Sequence, residues 1–238
     1  MPLEILHADD AIVAVNKPSG LAAHRSKLIG SDDGYLVDAV REATGRTLYL
    51  AHRLDRATSG VVLLAASKPL VAALGEQFMA RSVGKRYLAV VRGWLDDEGS
   101  IDHPLDAPGK PEPKPALTCF RTLARVELPI PLSRYASVRY SLLEVVPETG
   151  RYQQIRRHFR HASHHVVGDT THGRGEHNRL FRARFGVHRM LLHAESLAFA
   201  HPATGVRTVV RAPLDAAFQR AIALFADVGP AATGGSAS

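Results

Sequence analysis

Cysteine is almost absent from this chain, since Cys119 is the only one among 238 residues. No intramolecular disulfide and no cysteine metal cluster can form. A reducing, cytoplasmic setting is therefore expected. Long apolar runs are missing too, and none approaches the length that crosses a bilayer. Glu4, Asp9 and Asp10 stand where a secretory signal needs a basic end and an apolar centre. No internal repeat is visible. Lysine is missing from Gly150 to Glu195, a stretch that carries nine arginines against three acids, or +6 of the chain's net +7. Arginine presents a planar fork that pairs with phosphate and stacks on bases. This bias therefore points to nucleic acid rather than to a merely soluble face.

A hydrophobic fraction of 45% and a charged fraction of 22% are ordinary globular values, enough for a sizeable core. Ile5 to Val15 reads as two short strands around an Asp9-Asp10 turn, and Asn16-Lys17-Pro18-Ser19-Gly20 breaks the pattern. Leu36–Ala43 and Leu70–Met79 have helical spacing; Val61–Ala66 and Tyr87–Val91 read as strands. Pro104 to Pro115 holds five prolines in twelve residues, which no helix or central strand survives, so a surface excursion is expected. Val138–Val146 and Leu191–Ala200 read as strands, and Gln153–Ala162 and Leu214–Phe225 as helices. The irregular alternation implies an α+β fold on a largely antiparallel sheet. Residues 1–228 form the expected domain, and 229–238, rich in Gly, Ala, Ser and Thr, read as a disordered tail.

Three runs carry chemistry. Ala51-His52-Arg53-Leu54-Asp55-Arg56-Ala57-Thr58-Ser59-Gly60 sets an aspartate between two arginines in a polar turn just before a buried strand. Such turns display reactive groups, although an Asp that only bonds its own backbone would read the same. Lys85-Arg86-Tyr87 opens a strand with a tyrosine. Gly150-Arg151-Tyr152-Gln153-Gln154-Ile155-Arg156-Arg157-His158 begins a basic helix, on which Arg156 and Arg160 share a face and Arg157 points elsewhere.

In this order the runs resemble the RluA-like pseudouridine synthases, which carry H-R-L-D with T-S-G, then K-x-Y, then G-R-x-x-Q-[IL]-R. The resemblance extends to Val15–Gly20 and Gly168-Asp169 and spans roughly residues 4–212. It implies the pseudouridine synthase fold, with an active-site cleft across a mixed sheet flanked by helices. Many relatives carry an N-terminal S4 domain. Here the pattern begins within the first dozen residues, so RNA recognition is expected from the catalytic domain's own basic surface. Where the family often has histidine, this chain has Gln153. His24-Arg25-Ser26, the doubled Arg156-Arg157-His158, Gly168-Asp169 through His172-Gly173 and Asn178-Arg179, and Arg189 to Ala194 resemble members that modify tRNA.

The resemblance implies the roles. Asp55 is the expected catalytic carboxylate, acting by attack on C1′ or by removal of the 2′ proton. Arg156 is expected to pair with it as a bidentate partner, keeping it ionised and aimed. Tyr87 is expected to stack on the uracil, with Ile155 on its other side. The target base must leave its helix. Arg53, helped by His52, is expected to fill the space, and Arg56, Arg151, Arg157 and Arg160 are expected to contact RNA. The expected substrate is uridine 65 in the TΨC stem of tRNA, with ribosomal RNA as the alternative. A monomer is expected, with no membrane and no stable protein partner. Two rival readings differ in class. A non-catalytic RNA-binding module would explain the charge but not the set of Asp55, Tyr87 and Arg156. A metal enzyme would use His158, His161, His164 and His165, spaced by three, three and one, with Asp169 nearby. No H-E-x-x-H accompanies them, and no metal or other cofactor is expected.

Overall fold

A computed structural model describes residues 3–23 and 34–226. His24-Arg25-Ser26 and the 229–238 tail lie outside the described residues. The first half of the chain supplies β1 (Glu4–Ala8), β2 (Ile12–Lys17), α1 (Leu36–Thr44), β3 (Tyr49–Leu50), β4 (Ser59–Ala65), α2 (Lys68–Met79), β5 (Gly84–Arg92) and β6 (Glu98–Asp102). The second supplies β7 (Leu105–Ala107), β8 (Lys110–Lys114), β9 (Leu117–Leu128), β10 (Val138–Pro147), α3 (Gln154–His161), α4 (Gly175–Phe185), β11 (Leu192–Ala200), β12 (Arg207–Arg211) and α5 (Ala216–Ala223). Among the described residues, no helix is long and apolar enough to cross a membrane.

Ten strands make one mixed sheet, ordered β1-β2-β4-β11-β5-β10-β9-β6, with β12 on β11 and β3 on β4. The α+β expectation stands. Strands β2 and β4 are continuous apolar runs because both of their faces are covered. Ile12, Ala14, Val61, Leu63 and Ala65 pack with Leu74 of α2. Val13, Val15, Val62 and Leu64 turn to the opposite face, under Leu36 and Val40 of α1. In the other half, Tyr140, Phe181 and Phe218 bring α4 and α5 onto one face, while Ile155 and Phe159 of α3 cover the other. Tyr87 packs with both the α1 and the α3 clusters, so these helices share a face.

The proline-rich segment is a separate two-stranded hairpin, β7 with β8, outside the main sheet, as a surface excursion requires. Strands β6, β9 and β12 and helix α4 were not anticipated. Helix α4 is arginine-rich and buries only His177, Asn178 and Phe181, which leaves little apolar periodicity to read. In β9, Arg121, Arg125 and Glu127 interrupt the apolar alternation.

The sheet is antiparallel except where β11 meets β4, a short parallel pair at His193–Ser59 and Ala194–Gly60. Gly60 has φ +112°, and a Cβ there would lie 2.2 Å from the Ala194 carbonyl oxygen. This explains the glycine in the Thr58-Ser59-Gly60 run. Two histidines act as neutral acceptors within the packing. His52 Nε2 accepts the Leu63 N–H at 3.1 Å, and His177 Nδ1 accepts the Tyr140 hydroxyl at 2.7 Å. Burial first, then nearby Lys85 for His52 and Arg92 for His177, pushes each down to about 4.

Two outcomes follow from this packing. Gly60→Ala should cost well above the roughly 1–2 kcal/mol of a left-handed alanine. Gly45→Ala, where φ is +66° and nothing lies within 4 Å, should cost only that amount. Equal losses in urea unfolding would remove the close approach as the cause. Secondly, the depressed histidines bind fewer protons in the folded than in the unfolded state between pH 4 and the ordinary 6.5. Stability should therefore rise with pH across that window, by on the order of 1–3 kcal/mol. His52→Gln should flatten the rise in denaturant midpoints measured across it.

Candidate active site

The site begins with the turn between β3 and β4. The Thr58 N–H closes on the Asp55 carbonyl at 3.0 Å and presents the Asp55 side chain, which is 25% exposed. The Asn16–Gly20 run brackets this turn from behind. The Gly20 N–H donates to the Arg56 carbonyl at 2.8 Å, and the Ser19 hydroxyl to the Ala57 carbonyl at 2.7 Å. Arg56 returns its Nε–H to the Gly20 carbonyl at 2.7 Å. Lys17 is fully buried, and its Nζ donates to the carbonyls of Pro18, Leu21 and Arg56 at 2.9, 2.9 and 3.1 Å. Burial, then Arg189, pushes this ammonium down to about 7, while the charge on Asp55 pulls it back up.

Arg156 reaches the turn from α3, on the same face as α1. Its Nη1 donates to Asp55 Oδ2 at 2.9 Å. The bidentate pairing expected for Asp55 goes instead to Asp169, with Nε to Oδ2 at 2.7 Å and Nη2 to Oδ1 at 2.8 Å. Asp169 is buried and takes the Nε/Nη2 edge of the guanidinium, so Asp55 is met by the remaining nitrogen, Nη1. The backbone N–H groups of Thr171 and His172 also donate to Asp169 Oδ1, both at 2.9 Å. Burial alone would raise the Asp169 carboxyl. The hydrogen bond from Arg156, with those from the backbone, outweighs burial and holds it below its ordinary 3.8. Burial likewise opposes the Arg156 charge, and its bonds to Asp169 and Asp55 raise its pKa in spite of it.

Asp169 is positioned by its neighbours. Asn178 Nδ2 donates to the Asp169 carbonyl and Asn178 Oδ1 accepts the Gly168 N–H, each at 2.8 Å. Gly168 has φ +80°, and a Cβ there would sit 2.1 Å from the Arg189 carbonyl oxygen. The Gly168-Asp169 and Asn178 likenesses are thereby explained as one clamp. Across the parallel strand pair, Arg189 Nη2 donates to Ser59 Oγ at 2.7 Å, and Nη1 pairs with Asp215. Ser59 Oγ then bonds His193 Nδ1 at 2.7 Å, and His193 Nε2 bonds the Ala212 carbonyl at 3.1 Å. Because Nε2 must donate to a carbonyl, Nδ1 accepts from the hydroxyl. This chain of bonds ties the strand after Asp55 to α5. Neither Asp169 nor Lys17 was given a role from sequence, although both stood in quoted runs.

Tyr87 and Ile155 join Ala57, from the Asp55 turn, in one apolar cluster. Tyr87 is half-buried, and burial, with the negative charge of Asp55, raises its phenol. Asp55, Tyr87, Ile155 and Arg156 are thus brought together. The other expected contacts divide. Arg53 and Arg56 are exposed on the Asp55 turn. His52 turns its ring to Leu63 and Phe78, with 5.1 Å between ring centroids. Arg151 Nε donates to the Pro115 carbonyl at 3.1 Å, and Arg157 binds the Asp106 carbonyl at 2.7 Å as well as its carboxylate. Arg160 is exposed and lies 3.4 Å from His172 Nδ1. Of the nine arginines between Gly150 and Glu195, five (Arg160, Arg174, Arg179, Arg182 and Arg184) are exposed, so a basic surface remains for phosphate.

The four rival histidines do not converge on a common point among the described residues. His158 Nε2 bonds the His103 carbonyl at 2.9 Å, His161 stacks on His103 at 3.7 Å, and His164 Nδ1 bonds the Arg92 carbonyl at 2.8 Å. His165 is buried and its Nδ1 meets no partner among the described residues. No group of three or more His, Cys, Asp or Glu converges among the described residues.

The profile of the RNA pseudouridylate synthase family matches residues 11–161, which include the Asp55 turn, Tyr87 and Arg156. The tRNA pseudouridine synthase C of Vibrio cholerae serotype O1 is 42% identical, over 94% of this chain and 96% of its own. That of Salmonella typhimurium is 41% identical, over 94% and 90%. Among solved structures, human RNA Pseudouridylate Synthase Domain Containing 1 superposes with TM-score 0.69 at 28% identity, over 89% of this chain and 83% of that one. Human RNA Pseudouridylate Synthase Domain Containing 4 shares the fold, with TM-score 0.71 at 24% identity. The convergence of H-R-L-D, K-x-Y and Q-I-R in one place and these matches agree, and the chain belongs to the RluA-like RNA pseudouridine synthases.

Proposed function

We propose that this enzyme isomerises a uridine of tRNA, at position 65 in the TΨC stem, with Asp55 as the catalytic carboxylate. The observation that carries the chemistry is Asp55 held by one N–H of a buried arginine that Asp169 already grips. An arginine clamped on its far side cannot swing to follow the substrate. It therefore aims one Asp55 oxygen and leaves the other for the ribose. The likeness to tRNA pseudouridine synthases C over almost the whole chain supports tRNA as the substrate.

The reaction exchanges one bond for another. The N1–C1′ bond breaks as Asp55 either attacks C1′ or removes the 2′ proton, and both routes need an ionised, fixed carboxylate. The freed uracil turns against Tyr87 and Ile155, and C5 bonds to C1′ as the Asp55–C1′ bond breaks or, on the other route, as Asp55 returns the proton to C2′; the proton lost from C5 is matched by one gained at N1. Electrons balance without an oxidant. A stem uridine must first be unpaired and unstacked. Arg53, exposed beside Asp55, fills the gap, and the five exposed arginines of the 150–195 stretch hold the phosphates of the folded RNA. Arg56, exposed on the Asp55 turn, and Arg151 add further contacts to the RNA.

The direct test incubates the purified protein with unmodified tRNA transcripts, without nucleotide or metal, and maps pseudouridine chemically. Conversion at position 65 is expected. Conversion of ribosomal RNA with every tRNA unchanged would overturn the tRNA reading and leave the chemistry standing. Asp55→Asn should lower the single-turnover rate at least about a thousandfold, roughly 4 kcal/mol of barrier, with RNA affinity near wild type. A wild-type rate in that variant would remove Asp55 from the reaction. Asp169→Asn should keep the backbone bonds but loosen Arg156. A fall of about a hundredfold in the saturated rate is expected, with RNA affinity changed less than about threefold. Equal losses in rate and affinity, in a variant whose circular dichroism is unchanged, would make Asp169 a purely architectural residue.

A further inference from the structure

A cleft of about 480 Å³ opens between the tip of the β7–β8 hairpin and the start of α3. Asp106, Lys110, Tyr152, Gln153, Arg157 and His172 line it. Its volume falls in the range of small-ligand pockets, about 300–1,000 Å³, which suits one nucleotide and not a duplex. The hairpin is fastened to α3 by Arg157 on Asp106, Arg151 on the Pro115 carbonyl and His158 on the His103 carbonyl, with His161 stacked on His103. The cleft is therefore a built feature rather than a gap beside a loose loop.

Its chemistry is that of a nucleotide site. Tyr152 is a large aromatic left 48% exposed at the wall. Lys110 supplies a cation beside it, whereas the Asp106 carboxylate is already neutralised by Arg157. Gln153 stands in the left-handed region, with φ 51°, and its Oε1 is taken by His172 Nε2 at 2.8 Å. Its NH₂ group has no partner among the described residues and offers donors to an acceptor in the cleft. An aromatic face for a base, with a cation and an amide for its backbone, is the combination that holds single-stranded nucleotides. His172 also connects the cleft to the reaction centre, since its backbone N–H binds Asp169, which holds Arg156 against Asp55.

We infer that this cleft is a subsite for a second, unstacked nucleotide flanking the target uridine, with its base on Tyr152 and its backbone at Lys110 and Gln153. The inference rests on the tRNA reading above. It assigns a function to Gln153, the one visible departure from the family pattern, as a contact that selects the flanking nucleotide.

The test uses the full chain and two kinds of RNA. One is an unmodified tRNA transcript; the other is a set in which each nucleotide within two positions of the converted uridine is replaced in turn by an abasic residue. Tyr152→Ala should raise the half-saturating concentration for the intact transcript roughly tenfold or more. For one abasic RNA the same variant should match wild type, because the stacked base is already missing, and Tyr152→Phe should behave as wild type throughout. Equal losses by Tyr152→Ala on every RNA, or no loss on the intact one, would overturn the subsite while leaving the tRNA reading in place. A wild-type protein that converts no tRNA uridine would overturn that reading and the subsite together.

Discussion

The structure depends on one buried cation. Arg156 is almost wholly removed from water, and an unpaired guanidinium there would be prohibitively costly. Asp169, the partner that compensates most of that cost, is itself buried and engages two of the three guanidinium nitrogens of Arg156. Asp55, one quarter exposed, takes the third. The division of labour follows from exposure. The carboxylate sealed in the protein holds the arginine, and the partly exposed one keeps a face toward solvent. Everything that positions Asp169, from the Gly168 close approach to the Asn178 clamp, therefore acts on Asp55 at one remove.

The other half of the site is held by backbone. Lys17 gathers three carbonyls, one of them from the Asp55 turn, and Ser19 and Gly20 add two more bonds to the same turn. An ammonium pushed down by burial to about 7 and kept among carbonyl dipoles serves as a cross-link between two loops. The Asp55 carboxylate is thus fixed on its main-chain side by β2 and on its side-chain side by α3, elements almost a whole domain apart in sequence.

Much of this was legible in the sequence because short polar motifs specify residue types at close spacing. The grouping of Asp55, Tyr87, Ile155 and Arg156 was implied by the family resemblance that the ordered runs carry, whereas the strands β2 and β4 were read from apolar runs with no competing signal. Which acid takes the bidentate face of Arg156 was not legible. Asp55 and Asp169 are equally good chemically, and only burial separates them. Helix α4 and strand β9 escaped for a different reason. Their arginines break the period, and β9 is recognisable only once β10 and β6 lie beside it. Arg151 and Arg157, expected to contact RNA, also fasten the β7–β8 hairpin, a contact the sequence did not indicate, because a nearby carboxylate or carbonyl satisfies a guanidinium as well as a phosphate does.

Strand β11 lies between β4 and β5 at the centre of the sheet, yet it is the eleventh strand made. While the chain is being synthesised, β4 and β5 emerge long before it, each with an apolar edge that nothing yet covers. The parallel contact at Ala194 closes the sheet only after some hundred and thirty residues have followed Gly60. Pairing at that separation is slow relative to local hairpin formation, and open apolar edges invite association with other chains. The edges of β4 and β5 that β11 joins therefore stay open until most of the chain has been made, and the sheet becomes continuous only when its last central strand arrives.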